Sequence, residues 1–221
     1  MATGLETTLG TPDRQWFIVG RWQEYEGEAR ANLLRIIGIA AFYIVELVNY
    51  HGLRLGFLEM PKVDEVNQSF HQAVTALAVA WTMVGLGILL CLRGHIFPAQ
   101  LKFVSTGCDI VLLTAILTVA DGPKSPLVVG YLLLIALSTL RFNLSLVWFA
   151  TGGSMAGYLF LLGHARWFRD ETRVPRYHQL MFVLALVLTG VVLGQVIRRV
   201  RWMAQDYADR MAAGQKEGSD G

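Results

Sequence analysis

Hydrophobic and polar positions alternate along this chain in long blocks rather than in short periods. Six apolar blocks stand out, at about Leu33–Tyr50, Ala73–Leu92, Phe97–Ala120, Leu127–Phe142, Leu144–Leu162 and Leu180–Ile197. A membrane-crossing helix needs about 20 mostly apolar residues, and most of these blocks reach that length. The fourth is short, and the fifth follows it almost without a loop. The turn around Arg141–Asn143 is therefore expected near a membrane surface. The fold class predicted is an all-α integral membrane protein with six transmembrane helices.

The flanks read differently. Residues 1–12 are small and polar and are expected to be a disordered tail. From Asp13, a good N-cap residue, Ile18, Trp22, Tyr25 and Ala29 recur on one helical face, which predicts an amphipathic interfacial helix over 13–31. The six-helix domain is then assigned to 32–198. A cytoplasmic helical stub and tail fill 199–221, where Val200, Ala204, Tyr207 and Met211 continue a helical stripe. No signal peptide is expected at the N-terminus.

Composition sharpens the class. The chain of 221 residues is 54% hydrophobic and 16% charged, well below the roughly 25% charge of a soluble domain. A net charge of +2 gives no reason to expect a nucleic-acid partner. With both termini inside, 12 of the 19 Lys and Arg fall on the inner side; Arg54, Lys62, Lys124, Arg166, Arg169, Arg173 and Arg176 fall outside. The positive-inside rule favours that N-in/C-in arrangement. Cys91 and Cys108 lie in apolar blocks without a paired spacing and are read as packing residues.

Candidate chemistry is sparse. Asp109 near the middle of the third block and Glu46 in the first are the costly groups, since a buried charge at membrane depth costs roughly 2.5–3.5 kcal/mol on insertion scales. They form either a proton- or cation-responsive pair or contacts to polar groups on neighbouring helices, for which Tyr43, Thr114, Ser138, Thr139 and Gln195 are candidates. Asn49 beside Glu46 and Gln195 in the last block complete the set of intramembrane polar contacts. His51, His71, His164 and His178 fall at outer helix ends and are the only candidates for a metal or haem site or a pH response. Gly152-Gly153-Ser154 contains a serine, but no His is expected at its depth to activate it. Gly153/Gly157 and Gly190/Gly194 are small-xxx-small spacings that let helices approach closely. No metalloprotease, phosphate-loop or dinucleotide motif is present, so neither an enzyme active site nor a cofactor is expected.

One hairpin carries more residue detail. After Asp109 come Gly122-Pro123-Lys124-Ser125-Pro126-Leu127, then Tyr131, and Leu140-Arg141-Phe142 closes the fourth block. Pro123 and Pro126 fix φ and lack N–H groups, and Gly122 can stop a helix, so spans three and four are expected to form a rigid pair, with Arg141 at the inner interface. This hairpin resembles that of the six-helix membrane input domains of bacterial sensor histidine kinases, the type IV pilus sensor kinases above all. Similar modules precede some bacterial class III adenylate cyclases. The resemblance implies a stimulus-receiving module of a bacterial inner (cytoplasmic) membrane, working by helix repacking in the lipid bilayer with a membrane-protein partner or a second copy. No kinase or cyclase domain is read within these 221 residues, so the chain is expected to be either the input module of a longer signalling protein or a stand-alone relative, and catalysis is not implied for it. The alternatives are an accessory subunit of a larger membrane complex, and a small cation or proton transporter or channel subunit built on Asp109 and Glu46.

Overall fold

A computed structural model describes residues 11–51, 53–55, 58–60, 68–94, 100–168 and 170–219, with side chains described for 25–48, 68–94, 100–168 and 171–207. The disordered-tail expectation for 1–12 therefore falls almost wholly outside the described residues.

The chain forms two compact units, divided between Ala120 and Asp121. The first contains α1 (Thr11–His51), a small antiparallel pair β1 (Leu53–Leu55) and β2 (Leu58–Met60), α2 (Gln68–Arg93) and α3 (Leu101–Val119). Leu53 pairs with Met60, Arg54 with Glu59 and Leu55 with Leu58. Helix α1 packs along α2, and α2 along α3. The second unit begins with two 3-10 turns, Gly122–Lys124 and Pro126–Val129, and continues through α4 (Gly130–Thr139), α5 (Leu144–Phe168), a third turn Asp170–Thr172, and α6 (Arg176–Ser219). In it, α4 packs on both α5 and α6, and α5 on α6.

Five helical segments are long and apolar enough to cross a membrane: Tyr25–Val48, Gln68–Arg93, Leu101–Val119, Leu144–Phe168 and Arg176–Tyr207. At 1.5 Å per residue, the 24 residues of Tyr25–Val48 rise about 36 Å against a hydrocarbon core of about 30 Å. Their outward faces are apolar: Val111 is 66% exposed, Leu184 57% and Val192 58%. Surfaces like these are stable in lipid and costly in water, so the chain is a multi-pass membrane protein. The expected fourth span is different. Its apolar helical stretch, Pro126–Thr139, reaches only about 23 Å, with four residues at the 3-10 rise and ten at the α-helical rise.

One expectation about continuity is revised. The amphipathic segment 13–31 and the first span are one unbroken helix, α1. No Pro or Gly pair interrupts it between Gly20 and Val48, and Leu33, Leu34 and Ile37 carry an exposed apolar face onward. The division between the units falls inside the expected span-three/span-four hairpin: α3 packs on α2 in the first unit, and α4 packs on α5 and α6 in the second. The ten-residue α4 has too little surface to stand alone, and the two longer helices supply it.

The turn itself is built as its residues dictate. Gly122 takes φ +58°, a left-handed conformation that glycine adopts without steric cost. Pro123 and Pro126 each open a 3-10 turn, and Ser125 Oγ accepts the Leu127 N–H at 3.3 Å. Lys124 Nζ donates to the Glu171 carbonyl, which fastens the turn to the α5–α6 loop. Between α4 and α5 the chain reverses through Phe142 at φ 47°; Asn143 Oδ1 then caps α5 by accepting the Leu146 N–H at 3.3 Å.

The closest helix approach in the second unit lies at Gly190. A Cβ there would sit 2.7 Å from Thr151 Cγ2, and one on Gly194 would meet Leu144 Cδ1 at 3.4 Å. Gly153 and Gly157 are half-buried on α5. Gly190→Ala should therefore overpack the α5–α6 seam and cost about 1–3 kcal/mol in detergent unfolding. Gly152→Ala, with nothing within 4 Å, should change stability by less than about 1 kcal/mol. Equal effects would contradict the close approach.

Candidate functional site: a buried polar seam in the first unit

The most concentrated buried polarity lies between α1, α2 and α3. On α1, Glu28, Asn32, Arg35 and Ile39 recur at i, i+4, i+7 and i+11, so they share one face. That face points inward: Glu28 is 0% exposed, Asn32 2% and Arg35 4%. Tyr25, on the expected apolar face, is 36% exposed. The helix is thus inverted relative to a water-soluble one. In lipid the apolar side faces out, and polar groups turn inward to find partners.

Arg35 supplies the centre. Its Nη2 donates to Asp109 Oδ2 at 2.7 Å, and its Nε lies 2.7 Å from Oδ1. The second contact has ion-pair distance without the angle of a hydrogen bond. Trp81 Nε1 on α2 donates to Asp109 Oδ1 at 2.7 Å. Arg35 Nη1 donates to Asn32 Oδ1 at 2.7 Å, and Asn32 Nδ2 donates to the Gly85 carbonyl at 3.0 Å. Gly85 admits that approach: a Cβ there would stand 3.4 Å from Ile36 Cγ1 and 3.5 Å from Asn32 Oδ1. One turn from Asp109 on the same face of α3, Ser105 Oγ lies 3.4 Å from Glu28 Oε1 and 3.2 Å from the Lys102 carbonyl. Six side chains, with the Gly85 and Lys102 carbonyls, therefore form a seam joining all three helices.

The seam is electrostatically closed at its centre. Removing one member of a buried pair typically costs about 3–5 kcal/mol, because the other charge is left uncompensated. Asp109 faces a guanidinium at contact distance, and both its oxygens are engaged. That arrangement repels a metal cation.

The other sequence candidates fall elsewhere. Glu46 does not meet Asp109: it lies eleven residues beyond Arg35, about 16 Å along α1. It pairs instead with His71 on α2, Nδ1 to Oε1 2.8 Å, both groups mostly buried. The hydroxyls expected as partners of Asp109 and Glu46 make other bonds. Tyr43 reaches Thr75 at 3.3 Å, while Thr114, Ser138 and Thr139 donate to carbonyls of their own helix, as hydroxyls in helices commonly do. Gln195 is exposed on α6. Arg141 is 7% exposed and does not reach out to an interface. The side chains of Asn49 and His51 lie outside the described residues. His164 stacks between Phe160 and Phe168, with centroids 6.3 and 5.3 Å away, and His178 packs on Tyr177 at 4.3 Å. Among the described residues no three His, Cys, Asp or Glu side chains are grouped to hold a metal. Ser154 Oγ is buried and has no hydrogen-bond partner among the described residues.

Arg35, Asn32, Glu28 and Trp81 were not singled out from the sequence. The signal was present in the 28/32/35 spacing, but the reading placed a boundary at residue 31 and split the face. Comparison with protein-family models, with curated proteins and with solved structures finds no match for this chain.

Trp81→Phe keeps most of the ring volume but removes the Nε1 donor to Asp109. A hydrogen bond to a charged group contributes about 1.5–3 kcal/mol, and a loss in that range is expected in detergent unfolding of the full chain. A loss below about 0.5 kcal/mol would show that the bond contributes nothing.

Proposed function

We propose that this chain is a non-enzymatic membrane module of a bacterial cytoplasmic membrane that receives a signal or docks a partner by helix–helix contact within the bilayer. The observation that carries the reading is the Arg35–Asp109–Trp81 centre. It is a neutral, closed connection between three helices, suited to setting their packing and poorly suited to binding a travelling ion or a substrate. Helix α6 supports the output side: it runs from Arg176 through the membrane-length segment to Ser219 without a break, so a displacement in the bilayer is carried along one rod.

In this reading there are six crossings with both ends inside. Helix α4 and its preceding turn make the short crossing, accommodated by local thinning of the bilayer. The resemblance of the Asp109–Phe142 hairpin to sensor-kinase input domains agrees with this role. Accessory-subunit and transporter readings differ in what they ask of Asp109, and the engaged carboxylate favours neither cation nor proton transport.

The test is paired. Full-length protein in proteoliposomes is assayed for proton and sodium flux, and membranes are cross-linked in parallel to capture partner chains. The expected outcome is no flux with wild type, and at least fivefold less cross-linked partner or self-partner with Asp109→Asn at equal expression. Flux abolished by Asp109→Asn, or capture unchanged by it, would overturn the reading.

A further inference from the structure

The second unit carries a site that the seam does not explain. Beside the Gly-Pro turn lies a cavity of about 640 Å³, bounded by the 3-10 turns, α5 and the start of α6. Below it, between α4 and α6, lies a second cavity of about 530 Å³, and Val129 lines both. Each falls within the 300–1,000 Å³ typical of ligand sites. Their linings differ in a directional way. The lower one is lined by Val, Leu and Ala side chains and Thr189. The upper one adds Tyr158, Ser125, Lys124 and His178 to its apolar wall.

Tyr158 is the informative residue. It is 2% exposed, its ring packs on Phe182 at a centroid distance of 4.6 Å, and its hydroxyl makes no hydrogen bond among the described residues. Buried tyrosine hydroxyls ordinarily find a partner. Ser125 Oγ accepts from Leu127 N and keeps its own proton to donate. At the rim stand Lys124, His178 and the N-terminus of the 44-residue α6, whose free N–H groups and dipole favour an anion.

We propose that this groove binds one anionic phospholipid of the bilayer, independently of the seam in the first unit. The phosphate sits at the α6 N-terminus with Lys124 and His178. An ester carbonyl accepts from Tyr158 Oη, and the acyl chains run down past Val129 into the lower cavity. The length fits. From His178 to Leu193 is about 22 Å of helix, and half of a bilayer about 40–45 Å thick, head groups included, is about 20–22 Å. One leaflet's lipid therefore spans the groove from its polar to its apolar end.

Native mass spectrometry of the full chain tests this, with phosphatidylglycerol and phosphatidylcholine of matched acyl chains supplied during purification. The expected result is one phosphatidylglycerol retained per chain, at least tenfold over phosphatidylcholine. Tyr158→Phe, which removes one oxygen, and Ala185→Phe, which fills the upper cavity, should each lower retention at least fivefold without a change in helix content. Lys124→Gln with His178→Ala should erase the head-group preference. No retained lipid, equal retention of the two lipids, or retention unchanged in Tyr158→Phe would overturn the proposal.

Discussion

A guanidinium and a carboxylate held together away from water are the constraint on which the first unit depends. Arg35 on α1 and Asp109 on α3 are each nearly inaccessible and lie 2.7 Å apart. Neither is tolerable alone at membrane depth, so the helices that carry them cannot rotate or slide without exposing a charge to lipid. Trp81 and Asn32 extend the constraint to α2. In water the hydrophobic effect would fix helix packing by burying the apolar faces. In lipid that drive is missing between helices, and polar contacts with close backbone approach take its place. Gly85 under Asn32 and Gly190 against Thr151 supply the close approach.

The two units solve the packing problem by different means. In the first, a polar seam fixes which faces meet. In the second, small residues let α5 and α6 approach, with Gly190 against Thr151 and Gly194 against Leu144, and Lys124, Ser125 and His178 gather at the end that bears the Gly-Pro turn. Arg201 donating to the Phe142 carbonyl ties α6 to the α4–α5 reversal at the other end.

Much of this was legible from residue patterns. The apolar blocks marked the long helices, and Gly122 with its two prolines marked the turn that opens the second unit. Asp109 was recognised because a charge in an apolar block is conspicuous. Arg35 was not, because it lies two residues into an apolar block beside a segment that reads as an interfacial helix, where an arginine is ordinary. Its role follows only once Glu28, Asn32 and Arg35 are placed on one face of a continuous helix. The pairing of Glu46 with His71 is a matter of register between α1 and α2, which residue spacing within either helix does not specify. The fourth apolar block was legible as short, and the structure opens it with the 3-10 turn Pro126–Val129 before the ten-residue α4, because Pro126 lacks the N–H of a continuing helix.

If the Arg35–Asp109 pair is the joint of the first unit, its two charges act together rather than separately. A double-mutant cycle on the full chain in mild detergent measures this most directly, using Arg35→Met, Asp109→Leu and the two combined. Each single substitution should lose about 3–5 kcal/mol of unfolding free energy, and the combined variant should recover most of it, since no unpaired charge remains. Losses that simply add, or single variants as stable as wild type, would contradict a structural ion pair.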